Sequence, residues 1–253
     1  MNWHAHCGIF TVPIQVALRY KVPLMMWGEH GFLDLGGMYS LNDFVEFTAK
    51  HRLEHSLRGF DWHDFTDEGL VRLGRPEWKE GLRPKDLLWQ QYPSDEEIDS
   101  IGVRGIYLGN FVDWDGNNNA DLMTKRYGWR GSEMEFERTY RRSSNLDDMH
   151  ENGIHDYLKF VKFGYGRATD HACKDIRSGR MTREQGIAMV RKYDHVKPRR
   201  DLERWLKYVN MSETEFDNTC DTFRDSRVWR VEDDHWVKDS IWGEPSRFGR
   251  VAR

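Results

Sequence analysis

The sequence predicts an α/β fold, with a short parallel sheet in the first half and a mostly helical second half. Two compact apolar runs, Val22 to Trp27 and Val103 to Phe111, have the length and residue types of buried strands and are bounded by turn residues. Helix-start signals fill the second half, where Thr182 with Gln185 and Ser212 with Glu215 form capping boxes. The third observation is the stretch Gly153 to Arg177, GIHDYLKFVKFGYGRATDHACKDIR, whose apolar residues recur at helical spacing.

Composition narrows the classes of function. The chain has 253 residues, 38% hydrophobic and 32% charged, enough for one large domain or two small ones. A net charge of -4 argues against a general nucleic-acid binder, which carries a basic excess. Cys7, Cys173 and Cys220 are far apart and odd in number, so neither a disulfide framework nor a zinc knuckle is indicated, and a reducing compartment fits. No apolar run approaches the roughly 20 residues that span a bilayer, and MNWHAHCGIF lacks a signal-peptide layout. A cytoplasmic protein with no membrane association is expected.

In order along the chain, FTVPIQVALRYK reads as a short helix interrupted early by Pro13, and VPLMMWGE as the first strand, ending in Trp27, Gly28 and Glu29. Strand ends in α/β sheets are where ligands bind; Glu29 is read either as a ligand-facing carboxylate or as an ordinary loop residue. The following HGFLDLGG, with Asp34, Gly36 and Gly37, is a glycine-rich loop. Ser40 with Asp43 opens a helix running to Arg58. Short helices and loops are expected from Gly59 to Ser94, as a functional insertion or a substrate-covering segment. The second strand, VRGIYLGNF, is followed by Asp113 and Asp115, read as a polar turn or a hydrated-cation site. A helix over Ala120 to Tyr127 precedes a surface loop from Gly128 to Asn145. Helices are then expected up to Tyr193, over Asp201 to Val209 and from Ser212 to Phe223, and the tail from Trp229 packs as an extended arm or frays.

Placed on one helix, Ile154, Leu158, Val161, Tyr165, Ala168, Ala172 and Ile176 share a narrow sector that forms a core face. Lys159, Lys162, Gly166, Arg167, Asp170 and Lys174 gather opposite them, as a solvated ion-paired face or as an anion-binding one. Gly164 and Gly166 are costly in mid-helix, each by up to about 1 kcal/mol relative to alanine. They indicate a break, a tight packing contact or a ligand.

Read together and in order, HCGIF, VPLMMWGE, YPSDEEI, GVRGIYLGNF and DYLKFVKFGYGRATDHACKDIR resemble the N-acetyl sugar amidotransferase family of the PP-loop ATP pyrophosphatases, enzymes of surface-polysaccharide and flagellar sugar biosynthesis. The resemblance extends from about His6 to Trp229. It implies a partial PP-loop sheet, adenine nucleotide alpha hydrolase-like and Rossmann-like, over residues 1–116, a helical substrate or assembly region over 117–228, and a tail over 229–253. It also implies conversion of a sugar N-acetyl group to acetamidino: ATP adenylates the amide oxygen, pyrophosphate leaves, and ammonia displaces AMP.

On that resemblance, Lys159, Lys162 and Arg167 would meet phosphate and transition-state charge, with Asp170 and Thr169 orienting a cation or a metal. Trp27, Gly28, Glu29, Gly164, Gly166 and Thr169 would bind nucleotide or substrate, and Glu29 and Asp170 are the candidates for Mg²⁺. Cys7, near His4 and His6, is read as a reactive thiol or as a buried structural one. ATP and Mg²⁺ are the implied cofactors. The implied partners are an N-acetylated sugar, free or nucleotide-linked, and glutaminase and cyclase-like subunits that supply ammonia.

The sequence departs from the family in lacking its cysteine-rich N-terminal segment and the SGGxDS loop. Such a loop holds pyrophosphate through backbone N–H groups at a helix N-terminus. The chain therefore resembles the C-terminal two-thirds of the enzyme, and a separately encoded N-terminal half, a second copy or residues upstream of the assigned start are expected to cover exposed sheet edges. Two other readings compete: a non-catalytic sugar-binding or assembly subunit, and a tRNA-modifying PP-loop enzyme, which the overall acidity disfavours.

Overall fold

The computed structural model describes residues 3–28, 44–144, 146, 150 and 152–252. It divides into two compact units, Met1–Met123 and Thr124–Arg253. A mixed α/β architecture, with a short parallel sheet and many helices, agrees with the expected class.

The first unit opens with α1 (Trp3–Ile9) and α2 (Val12–Tyr20). Pro13 lies in the first turn of α2, where its missing N–H has no helical partner to lose. Strands β1 (Leu24–Trp27) and β2 (Arg104–Tyr107) pair in parallel, with Leu24 opposite Arg104 and Trp27 opposite Tyr107. Phe10, Ile14, Phe47 and Tyr107 form the core, joined by Met25, Trp27, Tyr92 and Ile98. At Gly105 the Phe47 backbone N–H donates to the carbonyl at 2.8 Å, and a Cβ there would lie 2.9 Å from that of Phe47.

Two expectations for this unit change. The first strand is half-buried rather than buried, because its outward residues Leu24 and Met26 are 50% and 59% exposed. An apolar run shows that a strand has a core side, but not how many layers cover it. In place of a regular helix up to Arg58, residues His51–Ser56 form a π-helical turn. There the buried Arg52 pairs with Asp61 at 2.6 and 2.8 Å and stacks 4.6 Å from the Tyr92 ring centroid. The proposed start of that helix at Ser40 and Asp43, and the loop with Asp34, Gly36 and Gly37, lie outside the described residues. The segment Gly59 to Ser94 is built, as expected, from short elements, including α3 (Asp67–Arg72), and Ser94 then caps α4 (Asp95–Ile101). Asp115 serves as a cap for α5 (Gly116–Tyr127), accepting the N–H groups of Asn117 and Asn118 at 2.9 Å.

In the second unit, the stretch expected as one helix is two: α6 (Asn152–Phe163) and α7 (Arg167–Arg177). Gly164 has φ +74°, a left-handed conformation that ends α6 and favours glycine. The apolar stripe survives the break, since Ile154, Val161, Ala168 and Ala172 are all buried. Helices α8 (Arg183–Tyr193), α9 (Arg200–Val209) and α10 (Glu213–Asp221) follow near the expected boundaries, with the capping boxes at Thr182 and Ser212 formed. Ile154, Tyr157, Val161, Leu202, Phe216 and Cys220 form the core.

The tail neither frays nor extends as an arm. It forms an antiparallel sheet of β3 (Arg230–Glu232), β4 (His235–Asp239) and β5 (Pro245–Arg250). Asp233 and Asp234, at φ 47° and 60°, make the two-residue turn between β3 and β4, a geometry matched to strand twist. The buried Trp229 anchors the sheet: its indole N–H donates to the Val161 carbonyl at 2.8 Å, and its ring packs on Phe160 and Phe248. Long-range aromatic packing of this kind leaves no local periodic signature in a charged segment.

Candidate functional site

The turn between α6 and α7 brings together most of the candidate residues of the second unit. Asp156 is buried on α6 and accepts from Arg167 Nε and His155 Nδ1, each at 3.0 Å. Burial alone would raise the Asp156 carboxyl, but the His155 hydrogen bond and the Arg167 charge outweigh it and hold the group below its usual range. Asp170 pairs with Lys159 and lies 3.7 Å from Arg167, while the Lys159 ammonium stands 4.8 Å from the Tyr165 ring centroid. Lys162 is apart from this cluster, exposed on α6 beside the rings of Phe163 and Phe223.

The N-terminus of α7 is a ready anion site, and the chain fills it with its own carboxylate. Asp194 accepts the Gly166 N–H at 2.8 Å, the Thr169 N–H at 3.1 Å and the Thr169 hydroxyl at 2.5 Å. Gly166, in extended backbone, makes this possible, because a Cβ there would come within 2.9 Å of that carboxylate. Gly164 is equally constrained, since a Cβ would meet Val228 at 2.5 Å and Lys238 at 2.8 Å. Of the three meanings the glycine pair could carry, a break and close packing are what the geometry contains. The nucleotide- or substrate-binding role expected for Gly166 and Thr169 meets donors already committed to Asp194.

Arg138 completes this arrangement from the loop before α6. Wholly buried, it donates to the backbone carbonyls of Asp194 and Val196 and lies against the rings of Tyr157 and Phe160. Its guanidinium thereby covers the C-terminal end of α8, where the helix dipole is negative. Burial pulls its pKa down to about 10, with Asp156 and Asp194 opposing that shift.

A cavity of about 200 Å³ opens between this turn and the C-terminal sheet. Gly164, Tyr165, Thr169, Asp194 and His195 line one side, and Lys238, Trp242, Ser246, Arg247 and Phe248 the other. Gly164 and Thr169 were expected at a ligand; Lys238, Asp194 and Arg138 were not. Their sequence neighbourhoods, a tail strand, a helix end and a surface loop, give no signal of the positions that folding assigns them.

The first unit holds the remaining candidates. Trp27 packs between Phe10 and Phe47, each with ring centroids 5.3 Å away, and its buried indole N–H has no hydrogen-bond partner among the described residues. Gly28 is exposed, and Glu29 lies outside the described residues. Cys7 is wholly buried beside Arg52, and burial pushes its thiol pKa up, the behaviour of a structural thiol rather than an activated one. Among the described residues no group of three or more His, Cys, Asp or Glu side chains could hold a metal ion, and no helix is long and apolar enough to cross a membrane.

The second unit also holds a proton-linked contact. His171 is buried on α7, with Nδ1 2.6 Å from the Thr139 hydroxyl. Burial, and then the positive charge of Arg141 and Arg167, depress its pKa well below the ordinary value; Asp156 opposes and Lys174 adds to the effect. Below about pH 6.5 the unfolded chain binds a proton that the folded chain refuses, so stability falls as pH falls, by up to about 1.4 kcal/mol per pH unit. Urea denaturation at pH 7 and pH 5 is expected to show a smaller pH loss in His171→Gln than in the parent; an unchanged difference would exclude His171 as its source.

Residues 124–241 match the family described as LPS biosynthesis protein WbpG-like, C-terminal domain. The matched segment covers a little under half of the chain, starts at the boundary of the second unit and contains α6, α7 and most of the cavity wall. No curated protein matches the chain.

Proposed function

We propose that the chain acts in lipopolysaccharide sugar biosynthesis and forms the sugar-binding side of an N-acetyl sugar amidotransferase. The observation that carries this reading is the coincidence of the WbpG-like segment with the charged turn and cavity around α6 and α7. The motif DYLKFVKFGYGRATDHACKDIR, read from sequence as amidotransferase-like, lies wholly inside that segment.

ATP and Mg²⁺ do not fit the described residues of this turn. The N–H groups at the α7 N-terminus are held by Asp194, and Asp170 is paired with Lys159. Phosphate activation is therefore assigned to other residues or to a partner chain, and the part left to this unit is to seat the sugar and keep water from it. A buried, ion-paired turn suits that task, because rigid neighbours hold a bound amide in one orientation. The same committed cations favour a non-catalytic sugar-binding subunit as the second reading.

The test is incubation of the chain with an N-acetylated nucleotide sugar, ATP, Mg²⁺ and ammonium, alone and with its ATP-binding and ammonia-supplying partners. The expected result is sugar-dependent AMP release, with replacement of the amide oxygen by NH, only in the combined sample. Sugar-dependent AMP release by the chain alone would refute the division of labour. Absence of the amidine product from every combination would leave the non-catalytic reading.

A further inference from the structure

We propose that the cavity between the α6–α7 turn and the C-terminal sheet binds a sugar carrying an oxyanion, with the ring against Trp242 and Phe248 and the oxyanion on the Lys238 ammonium. This rests on the sugar-acting reading above and adds to it the residues of this chain that would seat the ligand's charged group.

Arg247 pairs with Asp233 at 2.8 Å and Arg191 with Glu244 at 2.7 Å, while the carboxylate of Asp194 is committed to the α7 N-terminus. Lys238 differs from them. It is buried, its stem passes against Gly164, and its ammonium makes one hydrogen bond within the described residues, to the Asp239 carbonyl at 2.8 Å. An ammonium has three donors. Two remain, on a cation whose burial lowers its pKa, so an incoming anion would regain the stabilisation that desolvation removed.

The remaining walls select the rest of the ligand. Trp242, Phe248 and Tyr165 supply apolar surface, while the His195 ring and the Ser246 hydroxyl, neither of them hydrogen-bonded within the described residues, supply polar contacts. A few convergent polar groups in an aromatic wall are the usual make-up of a small-molecule site. A sugar ring, apolar on its C–H faces and polar at its rim, has the complementary pattern. The volume lies below the roughly 300–1,000 Å³ of sites for drug-sized ligands, so the cavity takes one ring and its charged substituent. A phosphate and a carboxylate offer Lys238 the same oxyanion.

Calorimetric titration of the full chain, without ATP or ammonia, tests the proposal with N-acetylglucosamine 1-phosphate, the corresponding uronic acid, neutral N-acetylglucosamine and inorganic phosphate. At least one charged sugar is expected to bind ten-fold or more tighter than the neutral sugar, and which one does so identifies the oxyanion. Lys238→Met, which keeps the stem, is expected to abolish that advantage. Trp242→Ala, on the cavity wall, is expected to weaken the charged sugar while leaving inorganic phosphate unchanged, and it provides the test if Lys238→Met fails to fold. Equal affinity for neutral and charged sugars, or inorganic phosphate binding as tightly as the sugar phosphate, would overturn the proposal. Amidine formation without sugar binding in this titration would refute the cavity alone; binding without amidine formation would refute the reaction alone.

Discussion

Arg138→Met is expected to lower the stability of the second unit by about 3–5 kcal/mol, the scale of breaking a buried charged partnership. Methionine retains much of the volume against Tyr157 and Phe160, so the loss isolates the hydrogen bonds to the carbonyls of Asp194 and Val196. Those carbonyls stay buried without donors, and each orphaned group costs about 1–3 kcal/mol. Arg138→Lys retains the charge but cannot span both acceptors, and is expected to recover only part of the loss. Chemical denaturation, followed by tryptophan fluorescence through the core residue Trp229, would measure both variants. A methionine variant within about 0.5 kcal/mol of the parent, the range of ordinary surface substitutions, would show that Arg138 is not the keystone its burial suggests.

Asp194→Ala is expected to cost about 2–4 kcal/mol, combining a lost helix cap with buried donors left open. Three donors on α7 lose their acceptor together, namely the N–H groups of Gly166 and Thr169 and the Thr169 hydroxyl. Asp194→Asn keeps an acceptor oxygen without the charge and is expected to lose about half as much. The alanine variant also has a distinctive rescue. With the carboxylate gone, the α7 N-terminus becomes free to hold an external anion, and added phosphate or sulfate is expected to raise its thermal midpoint more than that of the parent. Equal salt responses would show that the helix end is shielded from solvent anions.

Several local signals were legible where a residue acts on its own segment, although the caps at Ser94 and Asp115 were not among them. The capping boxes at Thr182 and Ser212 announced α8 and α10, because Ser or Thr followed three residues later by Gln or Glu closes its hydrogen bonds locally. The two strands were visible as apolar runs, and the glycine pair as a disturbance between α6 and α7. What the pair does was not legible, since Gly166 needs its missing Cβ for a carboxylate 28 residues further along the chain. Lys159, Arg167 and Asp170 were visible in the sequence as polar residues opposite an apolar stripe. Their pairing, and the separation of Lys162 from them, depend on side-chain positions that spacing on an ideal helix does not fix.

By itself the sequence determined the α/β class, the positions of most helices and the stretch around which the second unit is organised, because hydrophobic periodicity and capping are short-range properties of a chain. Only the tertiary structure decided that the charged tail is a sheet, that Asp194 fills the N-terminal end of α7, and that Lys238 faces a cavity. Each of those outcomes joins residues far apart in sequence, where partners are chosen by burial and by the need to satisfy buried polar groups.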